Sequence, residues 1–337
     1  MLHSFVIRHK SDESLANRMN EPTYVEGFHD KEAVQKMTYA PLGNTGLRVS
    51  KMGLGGAPLG GLFESIEQDE AASIVEEAVR SGINYIDTAP FYGQGKSESA
   101  IGRALKNIPR KAYYIATKVA RYTWDLHDQF DYSAERTRQS VERSLELLGL
   151  DYVDVIQIHD IEYAENLDQI INETLPTLQK IVDEGKARYI GVTSYVLNSL
   201  KEVLERSKVK IDCVLTVCRY TLIDDELTNY MPFFQEKGVA IIHAGALGLG
   251  LLTFRGPSEW HPANSDLKKA AKNAAEYCKT KNIDISKLAI QYSCALEGVP
   301  IQLIGVATLE YLKQNLKIVT QSLSKDELKV IEEIRQK

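Results

Sequence analysis

VDVIQIH (153–159), a helical stretch ending in NETLPTLQKIVDEG (172–185), and ARYIGVT (187–193) follow one another within 41 residues. The first and last runs are rich in β-branched residues and short enough to be buried strands. Between them, apolar residues recur at three- and four-residue spacing and stop at Gly185, the pattern of an amphipathic helix with a glycine end. Strand, helix and strand in that order make one crossover unit of a parallel sheet.

The same alternation extends outward in both directions. Strand-like runs occur at VSKMGLG (49–55), INYIDT (83–88), YYIATK (113–118), CVLTV (213–217), VAIIHA (239–244) and VPIQLIG (299–305), which with the first two makes eight. Helical stretches such as DEAASIVEEAVRSG (69–82) and SAERTRQSVERSLELLG (133–149) separate them, each with a terminal glycine. Eight such pairs in one chain predict an α/β fold of the (β/α)8 TIM-barrel type rather than an open doubly wound sheet. A hairpin, MTYAPLGNTGLRVS (37–50), precedes them; its turn chemistry sits at Asn44-Thr45-Gly46 and it is placed to plug one end of the barrel. Residues 1–36 mix charges without helical or strand period and are expected to form a mobile extension outside the core, leaving 37–337 as the barrel domain. The longest connection, from Gly245 to about Ser265, carries Trp260, His261 and Pro262 and is a candidate cover for the site.

Composition narrows the partners. The chain has 337 residues, 44% hydrophobic, with a formal net charge of −6 and its Lys and Arg scattered, so no nucleic acid partner is expected. No apolar run is long enough for a membrane span and the first residues lack a secretory pattern, so the expected location is cytoplasmic. The four cysteines form no CxxC pair and have no His at ligand spacing; no metal is expected and the thiols read as free and buried. No heptad or apolar stripe argues for a large assembly, and a monomer or weak homo-oligomer is expected.

In a (β/α)8 barrel the chemistry sits at the C-terminal strand ends. Asp87, Lys118 and His159 end three successive strands, and Tyr92 follows Asp87 by five residues. Singly, each has a structural reading: Asp87-Thr88 as a cap, Tyr92 as a loop aromatic, Lys118 as a rim cation, His159 as a core histidine. Together at one rim they could deliver a proton. An ammonium beside a phenol lowers its pKa toward neutrality, a carboxylate keeps the ammonium charged, and an imidazole can hydrogen-bond the reacting oxygen. His243 is better read as a core or rim histidine, and His127 as solvated.

GINYIDTAPFYG, IATK, DYVDVIQIH and GKARYIGVTSY resemble the successive signatures of the aldo-keto reductase superfamily, over about Met37 to Leu323. YAPLGNTGLRVSKMGLGGAPLGG and ALGLGLLT are most similar to its L-galactose dehydrogenase and D-threo-aldose 1-dehydrogenase branch. The resemblance implies an NAD(P)-dependent oxidoreductase with Asp87, Tyr92, Lys118 and His159 as catalytic tetrad, Tyr92 being the acid/base. It also implies a cofactor along Gly55, Gly56, Ala57, Asp87, Thr193, Ser194, Ala244, Gly245, Ala246, Leu247 and Gly248, then Gly305, Ala307, Thr308, Tyr311 and Asn315. Thr193 and Ser194 would hold the nicotinamide amide, and Glu310 and Asn315 would face the adenine. The substrate, a small carbonyl compound or sugar, would meet Ala57, Phe91, Tyr92, Trp124, His159 and the loop of Trp260. Two places depart from the family pattern: Val217 or a neighbour in LTVCRYTL stands where many members hold the carboxamide with Gln, and Gly305 and Tyr311 stand where NADP-preferring members place cations. A 2′-phosphate without paired cations is poorly held, which points to NAD, with Lys313 the residue able to reverse that. An alternative on the same fold is a cofactor-sensing regulatory subunit, like the β subunits of potassium channels. The tetrad suits both; no channel-docking segment is evident, which favours the enzyme.

Overall fold

Short runs of Val, Ile and Leu that must bury both faces pair in parallel and are covered by the helices that connect them. In a computed structural model of the chain, which describes residues 20–125 and 127–336, this pairing closes on itself. The barrel strands are β3 (Met52–Gly55), β4 (Tyr85–Asp87), β5 (Tyr114–Val119), β6 (Val153–Ile158), β7 (Ala187–Ser194), β8 (Cys213–Val217), β9 (Ala240–Ala244) and β10 (Ile301–Gly305). They pair in sequence order, with β10 closing on β3 through Gln302 opposite Met52 and Gly305 opposite Gly55. The fold is the expected (β/α)8 TIM barrel.

The hairpin is present as β1 (Tyr39–Pro41) and β2 (Arg48–Ser50), antiparallel, with Tyr39 opposite Ser50. Leu42, Leu47 and Val49 join the inward-facing Tyr85, Ala116, Val155, Cys213 and Ile301 in one buried cluster, so the hairpin plugs the N-terminal end of the barrel. The expected single strand 49–55 is therefore two pieces. Val49 and Ser50 belong to the hairpin, and the chain turns at Lys51, where the Ser50 hydroxyl donates to the Met52 carbonyl at 2.7 Å.

The expected helices form. Ser133 caps Ala134–Leu148 by accepting from the Arg136 amide, and Gly149 ends it in the left-handed region at φ 67°. The helix read from residue 172 starts earlier, at Leu167 with Asn166 as its cap, and passes through a π segment, Ile170–Thr174, before Leu175–Asp183. Pro176 is the reason in kind: it has no N–H to give to the preceding turn, and a wider turn absorbs the gap.

Residues 20–36 pack against the barrel's N-terminal end, where the sequence alone suggests nothing to hold them; residues 1–19 of the extension lie outside the described residues. Arg48 donates to the buried Glu21 carboxylate at 3.0 Å, Asn84 donates to the Thr23 hydroxyl at 2.9 Å, and the short helix Lys31–Lys36 buries Val34. Among the described residues, no helix is long and apolar enough to cross a membrane. Of the cysteines, Cys213 and Cys278 are buried while Cys218 and Cys294 are partly exposed.

Candidate active site

A strand turns successive side chains to opposite faces, so Tyr85 and Asp87, Ala116 and Lys118, and Val155, Gln157 and His159 share the inward face. The first member of each set sits in the barrel interior, and the last reaches the C-terminal rim. Asp87 pairs with Ala116 and Lys118 with Gln157, which steps the polar groups around three adjacent strands.

The four expected residues come together. The Lys118 ammonium is ion-paired with the Asp87 carboxylate, donates to the Thr88 carbonyl at 2.9 Å and donates to the Tyr92 hydroxyl at 3.2 Å. The His159 ring stands edge-on to Tyr92, centroids 5.7 Å apart. A fifth member, Gln157, escapes a search confined to strand ends: its amide donates to the other Asp87 oxygen at 2.7 Å. Its signal in the sequence is the two-residue spacing from His159, which puts both on one face.

Burial and charge set the protonation states. Burial pushes the Tyr92 phenol above its ordinary value; Lys118 pulls it back and Asp87 opposes that pull. The phenol therefore does not come down toward neutrality in this state, as the ammonium alone would suggest: burial outweighs the neighbouring charge. For Lys118 burial works against the charge, but Asp87 and Tyr92 together outweigh it and hold the ammonium above its usual value. His159 is held well below its ordinary value by burial and by the charges of Lys118 and Arg121, so it is a neutral imidazole. Its Nδ1 is buried without a partner among the described residues.

The loop that presents Tyr92 is set by a close backbone crossing. A Cβ on Gly60 would collide with the Tyr92 carbonyl, and one on Gly93 with the Gly60 carbonyl. Gly60→Ala is expected to destabilise the fold by about 1–3 kcal/mol and to lower turnover with it, because the loop must shift to make room. Thermal unfolding and turnover measured on the same variant check this, and wild-type values for both would show that the crossing does not position Tyr92.

Asp160 follows His159 in the left-handed region at φ 49°. Its carboxylate accepts from Arg121 at 2.6 Å and lies 3.7 Å from His159 Nε2, while its amide donates to the Thr193 hydroxyl at 2.9 Å. Burial raises its pKa to about 6, against the pull of Arg121 and with a push from Glu162.

The remaining expected residues divide. Phe91 contacts both His159, centroids 6.2 Å apart, and the exposed Trp124, at 4.7 Å, giving a continuous wall beside the tetrad. Trp260 is exposed and stacks on Phe63 at 6.3 Å; among the described residues its ring contacts do not reach Phe91, Tyr92 or His159. It belongs to a clasp, which the Glu64–Arg255 pair at 3.8 Å extends, between the loops after β3 and β9, and β10 lies between those strands. His261 anchors the second loop by a 3.1 Å contact with the Gly248 carbonyl. His243 is a core histidine, between the Gln302 side chain at 2.7 Å and the Tyr220 amide at 3.1 Å, and burial lowers its pKa to about 4. His127 is exposed.

At the expected cofactor positions the rim is built of small residues. Gly56 has a packing reason of its own, since a Cβ there would lie 2.8 Å from the Ser97 hydroxyl and 2.9 Å from the Asp87 carbonyl. The Thr193 hydroxyl is engaged by Asp160, and the Ser194 hydroxyl accepts from the Val196 amide at 2.8 Å and donates to its carbonyl at 3.1 Å. Any contact they make to a carboxamide shares oxygens already in use. Gly305 is exposed, Ala307 and Thr308 are partly so, and Thr308 caps the helix Leu309–Thr320 through the Tyr311 amide. Among the described residues the Leu309 and Glu310 amides in the first turn of that helix have no hydrogen-bond partner, which suits an anionic group. Tyr311 and Lys313 are exposed, and Asn315 is partly buried. Cavities of about 560 and 600 Å³ are lined, the first by Tyr122, Phe130, Tyr132 and Tyr163 and the second by Pro90, Glu98 and Ser144; neither is lined by the tetrad, Phe91 or Trp124.

Comparison with known proteins agrees with this geometry. The family model described as the aldo/keto reductase family matches residues 51–336. The chain is 45% identical to an L-galactose dehydrogenase of Arabidopsis thaliana over 85% of its own length and 89% of the relative's. It is 32% identical to a D-arabinose 1-dehydrogenase of Saccharomyces cerevisiae over 79% of its own length and 81% of the relative's. Among solved structures, an aldo-keto reductase from Bacillus halodurans in its holo form superposes with a TM-score of 0.74 at 30% identity, covering 88% of this chain and 96% of that one. A closed eight-stranded barrel, a lysine-centred polar cluster at its C-terminal rim and a match across nearly the whole barrel lead to one conclusion: the chain belongs to the aldo/keto reductase family.

Proposed function

We propose that this protein is an NAD(P)-dependent dehydrogenase that oxidises an aldose such as L-galactose at its anomeric carbon, with Tyr92 as acid/base. The observation that carries the chemistry is the 3.2 Å contact from Lys118 to the Tyr92 hydroxyl, backed by Asp87 and Gln157. The sugar dehydrogenases among its relatives support the substrate class.

Residues at the rim fit a dinucleotide. The exposed Gly305, the Leu309 and Glu310 amides at the start of the helix Leu309–Thr320, and the Phe63–Trp260 clasp lie along one arc between β9 and β3. When bound, the nicotinamide supplies the hydride acceptor or donor. Everything else falls to the protein. In the oxidising direction Tyr92 takes the proton of the anomeric hydroxyl, and in the reducing direction it returns one to the carbonyl oxygen. Lys118 stabilises the phenolate, Asp87 and Gln157 hold Lys118 charged and aimed, and neutral His159 hydrogen-bonds the reacting oxygen. Among the described residues no paired cations flank Gly305 and Tyr311, which favours NAD over NADP.

A panel of L-galactose, other aldoses, aromatic aldehydes and a 3-ketosteroid, each with both cofactors, tests the reading through the absorbance of the reduced nicotinamide. Turnover of an aldose with NAD is expected. Fluorescence titration should show NADH bound at least as tightly as NADPH, and an NADPH preference above about tenfold would overturn the cofactor assignment.

A further inference from the structure

A charged pair that the proton-transfer chemistry does not use lies against the tetrad. Arg121 follows β5 and is ion-paired at 2.6 Å with the buried Asp160. Its guanidinium lies over Phe91, 3.8 Å from the ring centroid, and Phe91 in turn contacts His159 and Trp124. Two nitrogens in this cluster, the Arg121 Nε donor and His159 Nδ1, which donates or accepts according to tautomer, are buried without a hydrogen-bond partner among the described residues. A buried polar group left unpaired is costly, and these two sit on residues that both touch Phe91, where a ligand's hydroxyls would complete them.

We propose that Arg121 is the residue that recognises substrate hydroxyls and selects polyhydroxylated carbonyl compounds, with Asp160 as the positioning residue that holds its guanidinium over Phe91. This rests on the aldose reading above and deepens it. Charge decides between hydroxyls and a carboxylate. Asp160 neutralises Arg121, and Glu162 adds a further negative charge close to Asp160, so the site suits a neutral polyol rather than an anionic sugar acid. The aromatic wall of Phe91 and Trp124 complements the apolar face of a sugar ring, while the guanidinium takes its oxygens.

The test compares wild type, Asp160→Asn and the double variant Arg121→Met/Asp160→Asn on one aldose, its uronic acid and one aromatic aldehyde. Asparagine is accommodated at φ 49°, and the double variant leaves no buried charge unpaired, so a folded protein is available even if one variant fails. Aldose over aldehyde selectivity in kcat/KM is expected to fall about tenfold or more in the double variant, through aldose KM more than through kcat. A ratio that holds within about twofold, a parallel loss on both substrates, or a wild-type preference for the uronic acid overturns the assignment. Wild-type enzyme that reduces the aldehyde and turns over no aldose overturns the aldose reading itself, a failure visible without any variant.

Discussion

Tyr92→Phe is expected to lower turnover by about 10²- to 10⁴-fold while leaving cofactor affinity and thermal stability nearly unchanged. The substitution removes one oxygen and keeps the ring, with its edge contact to His159 and its place beneath the Lys118 ammonium. Lys118 loses one acceptor and retains Asp87 and the Thr88 carbonyl, so no buried charge is stranded. What disappears is the only hydroxyl within hydrogen-bond distance of that ammonium among the described residues. Steady-state kinetics in both directions, with a cofactor titration alongside, separate these effects. Turnover within a few-fold of wild type would sink the assignment of Tyr92 as acid/base.

Lys118→Met should be as inactive and also less stable. Its ammonium is almost fully buried and paired with a carboxylate that is almost fully buried too. Breaking such a pair by removing one partner costs about 3–5 kcal/mol, because the buried Asp87 carboxyl is left, among the described residues, with the Gln157 amide as its remaining side-chain partner. The chemical effect is separable from the structural one by pH. Lys118 acts to lower the Tyr92 pKa, so without it the phenol ionises at higher pH. Oxidation requires the deprotonated form, so the alkaline rise of any residual oxidation rate moves to higher pH in the variant. A rise that stays where it is in wild type would show that Lys118 only holds the fold together.

The two substitutions separate roles that the geometry joins in one hydrogen-bonded chain, Gln157 to Asp87 to Lys118 to Tyr92. Asp87, Lys118 and His159 are legible in the sequence because strand ends converge on one rim in a barrel, and polar residues ending three consecutive strands are conspicuous there. Gln157 is less conspicuous. It lies within a run of apolar residues, and only the pairing of Lys118 with Gln157 across neighbouring strands brings its amide to Asp87. No local pattern marks Arg121 or Asp160; folding places the guanidinium on Phe91 and the carboxylate beside His159. Trp260 shows the opposite case: its long loop marks it for the site, yet it packs on Phe63 across the rim.

The sequence by itself determined the eight strand and helix alternations, the hairpin before them and the polar strand ends Asp87, Lys118 and His159. All of these follow from local period, turn chemistry and spacing, which do not depend on distant contacts. Only the tertiary structure decided where the barrel strand after the hairpin begins and how residues 20–36 dock. It also decided that burial holds the Tyr92 phenol above its ordinary value despite the neighbouring ammonium. Those outcomes depend on which groups exclude water from one another, a property of the assembled barrel that no single stretch of the chain contains.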